Sequence, residues 1–280
     1  MTTIAKTIIT AALLLLTICL FSQDSTDDKA IVKDVNGIST GMTQKEFDQF
    51  KKDYYNKMEK LGMFELPEHR KKNGKTVETE EGKLHNLKVA MMYKINLNAV
   101  DKFKEIGFDI VETIKTHFLY RHSDYETEKN IMRYNTIVVG EVIDSLIILN
   151  TAPHLCFNSV FKVKVHQFIK GQENFKGNLP DTLVIYMTEG APGCTNTVFA
   201  FMGMKRIFML SSTSKNYNKM KETIKYCTSP ELKKYSTNLN DPTVIYSYWG
   251  YGLNSLDEIQ MKVNLIEEIN KPEDFYRRKY

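Results

Sequence analysis

Cysteine is scarce in this chain: four residues in 280, with no Cys-x-x-Cys pair. Thioredoxin-like redox chemistry and cysteine-built zinc knots therefore have no support. Charge of one sign is also missing. The formal net charge is +4, and lysines alternate with acids along most of the chain. That is not the footprint of a nucleic-acid binder, although mild basicity permits loose contact with anionic envelope polymers. There is no Gly-x-Ser-x-Gly, no His-Glu-x-x-His and no glycine-rich phosphate loop, so the common hydrolase, zinc-protease and nucleotide signatures are absent. Internal repeats and low-complexity tracts are absent too, and after the first 22 residues no apolar run is long enough to span a bilayer.

The first 22 residues read as a signal peptide. Lys6 supplies a short positive start, and residues 8–21 form an apolar run broken only by Thr10 and Thr17. The run matches a signal-peptide core and is short for a membrane span of roughly 20 residues. Polar, acidic sequence follows at once, and cleavage before Gln23 leaves small Ser22 at the −1 position, with Leu20 a poorer fit at −3. An uncleaved anchor is one rival reading. Lipidation at Cys19 is another, disfavoured by bulky Ile18 directly before it. The expected product is secreted or periplasmic and not transmembrane once the signal is removed. It keeps Cys156, Cys194 and Cys227, an odd count that in an oxidising compartment means one bridge and one remaining thiol.

Residues 23–130 read as a mainly helical portion. Residues 24–42 are a polar lead-in. Thr43 and Glu46 make a capping box, and Phe47, Phe50, Tyr54, Met58 and Leu61 then recur at helical spacing up to Gly62. This aromatic stripe reads as a packing face. Residues 67–85 suggest an exposed loop, or a hairpin with its tip near Gly74. Residues 86–97 alternate as a strand does. Asn98 is placed to cap a helix over 99–106, and further helices are expected over 109–119 and 125–133.

Residues 131–235 carry a strand pattern. Thr136-Ile-Val-Val-Gly-Glu-Val142 opens it. Phe161, Val163 and Val165 then alternate with Lys162, Lys164 and His166, the period of a half-buried strand. A strand over 181–186, a loop leading to Cys194, a strand over 206–210 and Cys227 complete the region. Residues 236–280 hold an aromatic and glycine segment with Tyr246, Tyr248, Trp249 and Tyr251. A second capping box, Ser255 to Glu258, then starts a tail helix with Ile259, Val263, Ile266 and Ile269 on its apolar face, stopped by Pro272.

The order of these strands, with Lys-Gly closing the second and Gly-x-x-Arg-Ile-Phe-Met-Leu forming the last, resembles the netrin-like, tissue-inhibitor-of-metalloproteinase-like β-barrels of the OB type in their secreted bacterial form. The resemblance covers roughly residues 134–230. It implies an α+β protein: an N-terminal helical portion, a five-stranded Greek-key barrel and a C-terminal helix. It also implies a Cys194–Cys227 bridge, closing a loop of about 33 residues worth roughly 3 to 4 kcal/mol, with Cys156 left reduced. The animal inhibitors grip a catalytic zinc with a cysteine at the mature N-terminus. Here about 130 residues precede the first mature cysteine, so that chemistry does not transfer. Phe199-Ala-Phe-Met202 also departs from the small or polar residues usual at that place.

Candidates for chemistry are few. His117 and His122, with Asp124, are the best metal set, but five-residue spacing puts the two rings about 140° apart on a helix. His154 lies near Cys156 with no third group to orient a nucleophile pair. His166 belongs to the lysine face. The acid pairs Asp27-Asp28 and Glu267-Glu268 occupy polar runs or a helix surface. No catalytic residue, metal ligand or cofactor is therefore assigned. Tyr246, Tyr248, Trp249 and Tyr251 are the candidate binding residues: either a platform for sugar rings or a partner, or a latch between tail helix and barrel. The expectation is an exported, non-enzymatic binding or cell-envelope interaction protein with a protein or envelope-polysaccharide partner and no nucleic acid. The alternative is a secreted hydrolase with its site between the N-terminal portion and the barrel.

Overall fold

The structure, a computed structural model, describes residues 31–34, 39–64, 71–72, 75–76, 80–116, 125–147, 157–175, 177–188, 202–211, 225, 230–235, 241, 243–245 and 247–280. The signal segment, all four cysteines, His117, His122, Asp124, His154 and Tyr246 lie outside the described residues. The fold is mixed α+β, and the chain divides into two compact units between Lys52 and Asp53.

In the first unit, part of the polar lead-in is held by an isolated bridge between Lys33 and Ser39, and the Thr40 hydroxyl donates to the Val32 carbonyl at 2.8 Å. Helix α1, Gln44–Lys60, starts from the expected capping box. The Thr43 N–H donates to the Glu46 carboxylate at 2.8 Å, and the Glu46 N–H donates back to the Thr43 hydroxyl at 3.4 Å. These bonds satisfy donors that a helix start leaves open, and they hold the Glu46 carboxyl below its usual range. Tyr54 and Met58 are fully buried, and the chain leaves the helix through Gly62, whose φ of +68° is the left-handed turn a helix end needs.

The second unit continues with a two-stranded ribbon, β1 (Lys71–Lys72) and β2 (Lys75–Thr76), in which Lys72 pairs with Lys75 around the expected tip. Residues 86–97 are not a strand. Helix α2 spans Glu80–Met92, and buried Asn86, Val89, Ala90 and Tyr93 follow helical spacing. The alternation read from the sequence is a by-product of that spacing. The Asn86 amide donates to the Met63 carbonyl at 3.0 Å, which compensates its burial. Asn96, rather than Asn98, caps the next turn by accepting the Asn98 N–H at 3.2 Å. Helices α3 (Val100–Glu105), α4 (Ile110–Thr116) and α5 (Glu126–Arg133) follow.

The tail helix α6, Leu256–Asn270, buries Ile259, Val263 and Ile266 as its apolar period requires, and leaves Ile269 half-buried. Its capping box does not form: the Ser255 hydroxyl donates to the Gly252 carbonyl at 2.8 Å instead, and a 3-10 turn leads into the helix. Buried Asn270 ties the far end down. Its side chain accepts the Asn96 N–H at 2.9 Å and donates to the Tyr93 carbonyl at 3.4 Å. Beyond it Tyr54, which donates to the Ile95 carbonyl at 3.1 Å, stands edge-on to Tyr280 and Phe275.

Six strands form one sheet: β3 (Thr136–Ile147), β4 (Phe157–Lys170), β5 (Thr182–Thr188), β6 (Lys205–Ser211), β7 (Val244–Ile245) and β8 (Ser247–Tyr251), in the order β7-β5-β4-β3-β6-β8. All neighbours are antiparallel except β5 and β7, which run parallel. The sheet thus extends beyond residue 235, and the aromatic segment supplies its two outermost strands, separated only by Tyr246. One face packs Val138, Val142, Phe161, Val163, Leu183 and Phe208 into a fully buried cluster.

Strand β3 is the hub. Its residues from Thr136 to Glu141 pair with β6, and those from Ile137 to Ile147 pair with β4. The β3–β4 register shifts three times, and Ile143 is passed over between the pairs Val142–Val163 and Asp144–Lys162. Such bulges bend a strand and increase its twist. Gly140 sits at the bend. A Cβ there would collide with Val163 Cγ1 and come within 2.9 Å of the Lys164 carbonyl oxygen. Gly140→Ala is therefore expected to lower stability by about 2–3 kcal/mol, as overpacking in a close-packed core does. Urea unfolding checks this, and an unchanged midpoint would mean that β3 and β4 do not approach so closely.

Candidate functional site

The alternation along the strands gives the sheet a second face, and most of that face is covered. Ile137 and Val139 of β3 and Ile207 and Met209 of β6 lie on it and are buried; α5 packs against β6 and α6 against β4. At the other side, Val160, Val184, Tyr186 and Val244 cluster with Leu232 and Tyr235 from the 3-10 turn Pro230–Lys234 and the residue after it. Between these covers lies a strip that stays open. It consists of Lys164 and His166 on β4, Glu141 on β3 and Lys205 on β6.

The register explains why these four meet. Glu141 pairs with Lys164 on one side and with Lys205 on the other. His166 is passed over between the pairs Val139–Gln167 and Gly140–Val165, which leaves it beside Glu141. The Glu141 carboxylate stands 3.5 Å from His166 Nε2 and 3.7 Å from Lys205 Nζ. Both contacts are long for a direct charged hydrogen bond. Lys205 is 56% exposed and Lys164 is exposed as well. At one border of the strip the Lys162 ammonium lies 5.2 Å over the Tyr235 ring. Burial, reinforced by a hydrogen bond to Asp144, pushes the Tyr235 phenol well above its usual range. At the other border the Gln167 amide reaches Gln260 of α6 at 3.5 Å.

The cover over β6 and β4 is held by charge as well as by apolar packing. Helix α5 is short and polar, yet Glu128, Lys129 and Asn130 are buried. Lys262 of α6 bridges Glu128 at 2.6 Å and Glu258 at 3.1 Å. Lys170 of β4 contacts Glu267 at 2.8 Å and donates to the Ile131 carbonyl at 2.8 Å. Burial alone would lower the Lys262 ammonium, but the bonds to Glu128 and Glu258 outweigh it and raise its pKa.

The aromatic candidates are placed differently from one another. Tyr251 is half-buried, and its hydroxyl shares a hydrogen bond of 3.1 Å with Thr127 of α5. Tyr248 and Trp249 stand in β8, in register with Leu210 and Met209. The bridge cysteines Cys194 and Cys227, the histidine and aspartate metal candidates and Tyr246 fall outside the described residues. Among the described residues, no group of three or more His, Cys, Asp or Glu could hold a metal ion. No helix among them is long and apolar enough to cross a membrane. No protein-family model and no curated protein matches this chain.

The α5–α6 network makes a direct prediction. Lys262→Met should lower stability by about 1–2 kcal/mol by stranding Glu128, less than for a fully buried pair because Lys262 keeps some solvent contact. Adding Glu128→Gln should recover part of the loss, which a double-mutant cycle measures. With the ammonium raised on folding, the contribution is complete below the ordinary lysine value of 10.5 and fades as pH rises past it.

Proposed function

We propose that the sheet is a five-stranded barrel of the OB type, with residues 244–251 acting as one closing strand. The pairing supports this reading. Val244 and Ile245 lie parallel to β5, and from Ser247, two residues after Ile245, the chain is antiparallel to β6. A parallel pairing of third and last strands around a Greek key is the arrangement expected for such a barrel. On this reading the barrel is netrin-like, as the strand motifs suggest, and the Cys194–Cys227 bridge joins the segment before β6 to the segment between β6 and the closing strand.

The protein is then an exported, non-enzymatic module that binds a component of the cell envelope, and it works in the secreted or periplasmic space. The observation that carries this is the filled interior. Phe161, Val163, Leu183, Ile185, Phe208 and Leu210 are all fully buried in one cluster. Small barrels filled by side chains leave no room for a ligand inside. Recognition is left to the outer face.

The test is sedimentation of the mature protein, beginning at Gln23, with insoluble envelope from its own cells. Saturable co-sedimentation without hydrolysis of envelope polymers is the expected result. Protein that stays in the supernatant, or that releases soluble fragments from the envelope, would overturn the reading.

A further inference from the structure

We propose that the open strip formed by Lys164, His166, Glu141 and Lys205 binds an acidic polysaccharide lying across β4, β3 and β6. This rests on the binding-module reading above and adds the ligand class and the site.

Three observations carry it. First, among the described residues, the strip stays open to solvent on a sheet face that is otherwise packed by α5 and α6 and by residues 230–235. Second, its charge is uneven. Two lysines and a histidine surround one carboxylate, and Glu141 contacts both His166 and Lys205 at distances that leave their donors largely available. Asp144, the next carboxylate along β3, lies on the Tyr235 side of the strip. Third, amide side chains border the strip. Gln167 and Gln260 border the strip on the helix side and offer amides to hydroxyl groups. Successive outward residues on β4 are about 6.6 Å apart, and neighbouring strands about 4.8 Å apart. Lys164 and Lys205 therefore stand on separate strands on either side of Glu141, exposed at the surface, which fits an extended polymer with repeated carboxylates and hydroxyls better than a single deep-seated anion.

Neutralising a carboxylate anywhere favours a polyanion slightly, but the effect is largest at Glu141, since distant charges are screened. Glu141 stands between the two lysines and competes with the ligand for the cations, so its neutralisation should tighten binding.

The probe is polygalacturonate, with neutral dextran as the control, titrated against the mature full chain. Binding to polygalacturonate should weaken as salt rises from about 20 to about 150 mM, and dextran should not bind. Lys164→Gln/Lys205→Gln should weaken binding about tenfold, whereas Lys102→Gln/Lys104→Gln on exposed α3, with the same change in net charge, should change it by less than about twofold. Glu141→Gln should tighten binding by about threefold, and Glu105→Gln should tighten it far less. Thermal melts confirm that each variant is folded. Equal losses from the two lysine pairs, weakening by Glu141→Gln, or preference for phosphatidylglycerol vesicles over polygalacturonate would overturn the proposal. If polygalacturonate fails while native envelope still co-sediments, the ligand class is wrong and the binding-module reading stands.

Discussion

The close approach of β3 and β4 at Gly140 is the constraint on which the rest of the second unit depends. One strand of twelve residues has to pair with β6 along its first half and with β4 along nearly its whole length. Bulges around Gly140 and Ile143 bend it enough to do both. The missing side chain at Gly140 lets the Val163 side chain and the Lys164 backbone come in, and the same bend points Phe161, Val163 and Phe208 toward one another. Removing that surface from water is the main favourable contribution to the fold. The helices then cover what remains of the apolar outer face.

The bend also determines where the charged strip lies. Glu141 is the last β3 residue paired with β6, and it stands directly after Gly140. The register shift at Val139 and Gly140 leaves His166 opposite no residue and beside Glu141. One irregularity in the ladder thus completes the core on one face and gathers the four polar residues on the other. The α5–α6 network has a different role. It satisfies buried charges with partners on neighbouring elements, and so lets a polar eight-residue helix serve as part of a cover.

Local features were legible in the sequence. The Thr43–Glu46 capping box, the Gly62 exit, the pairing of Lys72 with Lys75 and the alternation around Phe161 all rest on residues within a few positions of one another. Features set by distant partners were not. Residues 86–97 alternate as a strand does, whereas Glu80–Met92 is a helix whose buried Asn86 bonds to the Met63 carbonyl, a contact that no local pattern reveals. Ser255 looked like a cap, but its hydroxyl turns back to Gly252. The aromatic and glycine segment read as a platform or latch, while β7 and β8 pair it with β5 and β6, strands some 60 and 40 residues earlier. For the candidate site, Lys164 and His166 were visible as the polar half of a strand. Glu141 and Lys205 became their neighbours only through the register.

The central claim is that residues 244–251 act as one strand closing the sheet on β5 and β6. Amide hydrogen exchange on the mature protein tests it most directly. The Val184 N–H donates to the Thr243 carbonyl at 2.9 Å, and β8 pairs with β6 from Ile207 to Ser211. The account predicts that Val184 and the paired amides of β6 and β8 exchange slowly and at similar rates, as one cooperative unit. Loop-like exchange across 244–251, with β3 and β4 still protected, would contradict it.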